Sequence, residues 1–164
     1  MSMELMTGNT TTAVAGENKS VAEYVQYIVI RLGVEQYGID IRYIENIVRM
    51  QQITRVPHVP AYLKGVINLR GEVIPVMSLR LRMGLEAEEN TRSTRIIILH
   101  LEEEGNVGVL VDEVKEVVEL NTEEIEKVAY DKGGKQSFIS GVGRHNGELI
   151  SLLDLSSISL EENA

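Results

Sequence analysis

At 164 residues the chain is long enough for one domain, or for two small subdomains sharing a core. It has no cysteine, which excludes disulfides and thiolate metal sites, and no apolar run approaches the roughly 18 residues of a membrane-spanning helix. A net charge of −9 argues against a general binder of nucleic acid or anionic membranes.

Residues 1–20 are rich in Thr, Gly and Asn and lack periodicity, so they read as a flexible tail. Without a basic n-region or an apolar h-region they do not make a signal peptide. With no cysteine to oxidise, a cytoplasmic location is expected. Aromatic residues are 4% of the chain, so the core must be built from Ile, Val and Leu, a composition that favours strands.

From residue 24 onward the chain repeats itself. Apolar strands are expected at 27–32 and 95–101, each followed by a polar turn with glycine, at 33–36 and 102–106. Gly38 and Gly108 then open matching patterns: Ile39 pairs with Val109, Ile41 with Val111, Ile44 with Val114, Ile47 with Val117 and Val48 with Val118, all at an offset of 70. A second match, GVINLRGEVIPVMSL with GVGRHNGELISLLDL, runs at an offset of 76 and pairs Gly65 with Gly141, Gly71 with Gly147 and Leu79 with Leu155. Two long matches in the same order indicate two copies of one small β unit. One domain over 21–160 is expected, made of two intertwined barrel subdomains divided near 91 and 92, with 161–164 as a tail. The spacing of Ile41, Ile44, Ile47 and Val48 predicts a short helical turn. Ser78 and Asp154 are placed to cap a final turn in each copy.

The sequence holds no recognisable catalytic chemistry. There is no Gly-rich phosphate loop and no G-x-S-x-G elbow. His58, His100 and His145 read as a loop residue, a half-buried strand residue and an exposed turn residue, none with a carboxylate partner in sequence. Asp112 and Glu113 would point to opposite faces if one strand continues through both. Residues 102–104 are a solvated acidic turn, and no calcium loop is present. Neither an enzyme nor a cofactor or metal is expected.

The two hairpin tips differ in an informative way. The second, RHNG, places Asn146-Gly147 at a two-residue turn, where both residues tolerate positive φ. The first, NLRG, keeps the glycine but puts Arg70 in the place of Asn146 and an apparently exposed Leu69 in the place of His145. An arginine beside an apolar residue on a rigid tip suits a protein interface. Pro75 cannot donate to a ladder, which predicts an edge strand or a bulge at 72–77. Charge is also uneven: residues 1–95 hold 11 Lys/Arg against 10 Asp/Glu, residues 96–164 hold 5 against 15, and two surfaces with different partner preferences would follow.

The segments YGIDIRYIENIVR and ITRVPHVPAYLKGVINLRGEVIPVMSLRLRMGL, with the later VGVLVDEVKEVVEL and ISGVGRHNGELISLLDL, resemble the CheW family of bacterial chemotaxis coupling proteins over about residues 23–160. The resemblance implies a mostly β fold of two SH3-like five-stranded barrels packed together, with short helical turns and a short C-terminal helix. It implies a non-catalytic adaptor that couples the cytoplasmic tips of chemoreceptors to the histidine kinase CheA and is recruited to membrane-bound receptor arrays. Matched position by position, Ile44, Asn46, Lys64, Gly65 and Arg70 take partner-contact roles. Glu45 supplies an acid that some members carry where Asn46 stands, and Leu69 joins the set beside Arg70. Barrel ends are expected to meet the kinase's regulatory domain. With no receiver, dimerisation or ATP-binding domain in the sequence, a stand-alone coupling protein is the simplest fit. The alternative is a small-ligand sensor with a pocket between the barrels.

Overall fold

The first apolar segment forms β1 (Tyr24–Leu32), which turns at Gly33 into β2 (Glu35–Asp40). A single 3-10 turn, Ile41–Tyr43, leads into β3 (Ile44–Arg49). The first hairpin consists of β4 (Leu63–Leu69) and β5 (Glu72–Ser78), and the Ser78 hydroxyl accepts from the Leu81 N–H to cap the one-turn helix α1 (Leu79–Arg82). The second copy repeats this order with β6 (Arg95–Leu101), β7 (Gly105–Val111), β8 (Glu113–Asn121), the short β9 (Glu126–Lys127), β10 (Ile139–His145) and β11 (Glu148–Leu153). Asp154 caps a final 3-10 turn, Leu155–Ser157, where the C-terminal helix was expected. This computed structural model describes residues 22–128 and 138–158, so the tails expected at 1–20 and 161–164 lie outside the described residues.

One sheet has the order β9–β10–β11–β2–β1–β8 and the other β3–β6–β7–β5–β4. Each copy has therefore lent its first hairpin to the other: β1–β2 lies among strands of the second copy, and β6–β7 among strands of the first. The division expected near 91 and 92 bounds the repeat and not the barrels, because the chain crosses between sheets at 41–43 and again at Asp112. Both copies present the same apolar faces, so a hairpin of one fits the sheet of the other, and the exchange merges two thin cores.

The exchange is made the same way twice. β11 runs parallel to β2 with Leu152 opposite Gly38, and β5 runs parallel to β7 with Val76 opposite Gly108. A Cβ on Gly38 would lie 2.8 Å from Leu152 Cδ2, and one on Gly108 2.8 Å from Ile96 Cγ2. The paired glycines thus mark where a neighbour's side chain crosses close over the backbone. In each barrel one amide also ties the lent hairpin to its host: Gln36 Nε2 donates to Glu148 Oε1 at 2.8 Å, and Asn106 Nδ2 to Glu72 Oε2 at 3.1 Å.

Burial follows from this arrangement. Ile96, Ile97, Ile98 and Leu99 on β6 are all at most 2% exposed. Ile96 and Ile98 fill their own barrel, whereas Ile97 and Leu99 enter the core shared by both. An unbroken apolar run is what a strand covered on both faces requires. β1 behaves alike, with Val29 inside its barrel and Ile28 and Ile30 in the shared core.

Two local expectations are corrected. Of the helical turn predicted from Ile41, Ile44, Ile47 and Val48, only Ile41–Tyr43 is helical. The rest is strand β3, and the spacing of three arises from a bulge: Ile44 pairs with Leu99 and Asn46 with Ile98, leaving Glu45 as the extra residue. The bulge resets the alternation, so Ile44 and Ile47 both turn to the shared core. Lys115 is the extra residue at the matching place in β8. Pro75 does not lie on an edge strand, since β5 is interior. It stands opposite Val66, whose own N–H and C=O turn away to Thr54, and one residue before the first parallel pair, Val76 with Gly108. A missing donor there removes no bond to β4.

The two crossings are held differently. At the first, Asp40 accepts from the Arg42 N–H at 2.9 Å, and its carboxylate takes the Arg42 guanidinium at 2.7 and 3.1 Å. Burial pushes the Asp40 carboxyl up, but those hydrogen bonds and the Arg42 charge outweigh it and hold the group below its ordinary value. A depressed carboxyl stabilises the fold above its unfolded value, near 3.9, and the contribution is lost as pH falls through the folded value. The Asp40→Asn variant should therefore lose less stability than the parent between about pH 5 and pH 3 in urea titrations; equal acid sensitivity would place the effect elsewhere.

Candidate protein-interaction site

The seven candidate residues fall on one barrel but on separate edges of its sheet. Ile44, Glu45 and Asn46 lie on the β3 edge, Lys64 and Gly65 on the β4 edge, and Leu69 and Arg70 at the β4–β5 tip. Both edge groups are built around bulges. Glu45 is the extra residue of β3 and Lys64 that of β4, between the pairs Leu63–Met77 and Gly65–Val76. A bulge aims its extra side chain out of the regular alternation, and both charged residues are exposed. Asn46 is also exposed, its Oδ1 accepting from the Ile47 N–H at 2.8 Å, whereas Ile44 is half-buried against the shared core.

Gly65 has a packing role. It is buried at φ 144, and a Cβ there would collide with the Thr54 carbonyl, which accepts from the Val66 N–H at 2.8 Å. Leu69 is not the exposed apolar residue that the sequence suggests. It is half-buried and leans on the cluster of Ile67, Ile74, Val76, Ile96 and Ile98. His145, its counterpart and expected to be exposed, is half-buried as well. His100, expected half-buried, is exposed with Nδ1 3.0 Å from Asn106 Oδ1, and His58 is exposed in its turn at φ 60.

Arg70 stands out. Its φ is 54 and that of Gly71 is 86, against 52 and 80 for Asn146 and Gly147, so both tips are the same turn with both central residues in the left-handed region. Asn68 Oδ1 braces the first by accepting from the Gly71 N–H at 3.0 Å. Asparagine tolerates that backbone; an arginine strains it by about 1–2 kcal/mol. Its side chain recovers nothing within the molecule: Arg70 is exposed and makes no ion pair or side-chain hydrogen bond among the described residues.

Sequence reasoning missed how the polar groups meet at the seam: Asp112 and Glu113, expected to face apart along one strand, are divided by a bend at 112, and both approach Arg31, at 3.8 and 2.9 Å. At the second crossing Asp112 accepts from the Gly33 N–H at 2.8 Å and from Arg80 Nε at 3.1 Å, while Arg31 bonds Glu113 at 2.9 Å. The Glu113 carboxyl is drawn below its ordinary value by that hydrogen bond. Arg82 lies 4.8 Å from the Tyr62 ring centre and 5.0 Å from that of Phe138, two residues matched at the offset of 76. Their one sequence signal is that Asp112, Arg80 and Arg82 break the repeat, standing where Arg42, Ser156 and Ile158 are their counterparts. The charge asymmetry persists by barrel among the described residues: residues 44–111 hold eight Lys/Arg and eight Asp/Glu, and the other described residues five and twelve.

The middle of the seam is filled: Ile30, Leu99, Val109 and Val111 are at most 1% exposed, and the openings described beside it lie where the chain crosses between the sheets. Nor do three or more described His, Asp or Glu residues gather where they could hold a metal ion. No helix among the described residues is long and apolar enough to cross a membrane.

A family model described as a CheW-like domain matches residues 26–162. The chain belongs to the CheW-like family. It is 32% identical over 142 residues to the chemotaxis protein CheW of Helicobacter pylori, covering 87% of this chain and 84% of that protein. It is 34% identical over 139 residues to the chemotaxis protein CheW of Bacillus subtilis, covering 84% and 88%. The crystal structure of the scaffolding protein TtCheW from Thermoanaerobacter tengcongensis superposes with a TM-score of 0.75 at 30% identity, over 80% of this chain and 90% of that one. The fold is accordingly the family's mostly β pair of SH3-like subdomains.

Gly65→Ala should cost about 2–3 kcal/mol in urea unfolding, because both the backbone and the Thr54 carbonyl oppose a side chain there. Arg70→Asn should do the reverse and stabilise the protein by about 0.5–1 kcal/mol, as the turn is relieved and no internal contact is lost. A loss of stability in that variant would mean that Arg70 braces the hairpin.

Proposed function

We propose that this chain is a non-catalytic adaptor of bacterial chemotaxis, coupling the cytoplasmic tips of chemoreceptors to the histidine kinase CheA at membrane-bound arrays. Arg70 carries the reading: a strained, exposed and unpaired cation occupies a turn that the second copy builds with asparagine. A residue kept against local stability and without an internal partner acts outside the molecule. The chemotaxis and scaffolding roles in the names of the relatives support the same conclusion and favour it over a small-ligand sensor.

Glu45 and Asn46 on the β3 edge, Lys64 on the β4 edge and Arg70 at the tip are the contact residues, with Ile44, Gly65 and Leu69 shaping the backbone beneath them. The ends of the barrels face the kinase's regulatory domain. The more acidic barrel and the neutral one give the adaptor two electrostatically distinct surfaces, as a protein holding two partners needs.

Calorimetric titration with the CheA regulatory domain and with a receptor cytoplasmic fragment tests the proposal; binding to neither would overturn it. Arg70→Glu should weaken binding to at least one partner by about tenfold or more while shifting stability within about 0.5 kcal/mol.

A further inference from the structure

Because the fold is duplicated, each site in one copy has a counterpart to compare with. At the Asp112 crossing three elements meet: the β1–β2 turn, the residue leaving β7 and the helix after β5. Arg80 fills the space between them, its Nε 3.1 Å from Asp112 Oδ1, Nη1 2.7 Å from the Glu86 carbonyl and Nη2 3.1 Å from Glu88. Offsets of 70 and 76 carry this place to the β6–β7 turn, the 3-10 turn after β2 and the turn after β11. There the structure has a cleft of about 270 Å³. Ser156 stands where Arg80 does, Leu101 where Arg31 does, and Glu103 where Gly33 does.

The walls of the cleft suit what Arg80 presents in the other copy. Leu101 and Leu155, each 7% exposed, make an apolar floor, and Tyr43 offers a ring 44% exposed at the rim. Glu102 and Glu103 stand exposed at the mouth and form no ion pair among the described residues. The cation at this crossing, Arg42, is turned away and held by Asp40 at 2.7 Å. We propose that this cleft receives an arginine side chain from a partner protein, taking the place that Arg80 fills in the other copy. The apolar floor takes the aliphatic stem, the glutamates take the guanidinium, and the Tyr43 ring gives its flat face a stacking surface. Arginine suits this better than lysine, whose compact and strongly hydrated charge neither stacks nor forks. The protein already holds Arg82 between two rings in this way. The net charge of −9 favours the approach of a basic partner.

The test needs neither receptor nor kinase, so its failure leaves the proposed function standing. The isotope-labelled full chain is titrated with N-acetyl-arginine methylamide, and with the neutral citrulline analogue of the same shape. Saturable amide shifts at Tyr43, at residues 101–105 and at Ser156 are expected, with a dissociation constant on the order of millimolar. Citrulline should bind about fivefold more weakly, and so should arginine to the Glu102→Gln, Glu103→Gln double variant, whose exposed positions leave folding intact. Ser156→Arg should fill the cleft from within and abolish the shifts. The proposal is overturned if arginine gives no saturable shifts, if citrulline equals it, or if either variant binds like the parent.

Discussion

Everything in this molecule depends on the exchange of hairpins between two like halves, and the Asp112 carboxylate fastens one of the places where it happens. It joins the turn of the first hairpin, through the Gly33 N–H, to the helix that ends the first copy, through Arg80. The Asp112 and Arg80 side chains are only 18% and 11% exposed, so neither charge is well served by water. A pair so placed gains little over an apolar substitute, but losing one member leaves the other charge stranded. Its value is in specifying one arrangement. Two copies with interchangeable apolar faces pack in more than one way, and a carboxylate that fits one cation at one crossing distinguishes among them.

Duplication also separates what the fold needs from what has been added to it. Paired features belong to the architecture: Gly38 with Gly108, the bulge residues Glu45 with Lys115 and Lys64 with Ser140, the caps Ser78 with Asp154. Unpaired ones have been acquired by one copy alone. Arg70 is costly where it stands, Arg82 bridges both copies by lying between Tyr62 and Phe138, and Ser156 leaves a cleft where Arg80 fills one.

Much of this is legible in the sequence. The repeat, the strands and the two caps follow from offsets and periodicity, because strands buried on one face keep their alternation. The exchange is not legible: a hydrophobic pattern says which face is covered, never which half covers it. The isoleucines at 41, 44 and 47 read as helical because a one-residue bulge imitates the spacing of a helix. Leu69 reads as exposed because proximity to a turn hides whether a side chain leans outward or back onto the barrel. For the candidate site, the tip comparison points to Arg70 as the residue poorly suited to its turn, and its φ is indeed 54. Asp112 reads as one of a strand pair facing apart, because nothing in the sequence marks the bend at 112 or the distant arginines that meet it.

The order in which the chain is synthesised gives the exchange a kinetic meaning. The sheet made of residues 44–111 is contiguous and can close once its last strand leaves the ribosome. The other sheet opens with β1–β2 and ends with β11, so Gln36 waits for a residue 112 positions later in the chain before its amide bond to Glu148 can form. At about 5–20 residues per second, that hairpin spends on the order of ten seconds before Ile150 and Leu152 can cover Val29. One barrel is born complete and serves as the template on which the other is finished. A nascent chain that stalls in the second half would present an unpaired apolar hairpin to its neighbours.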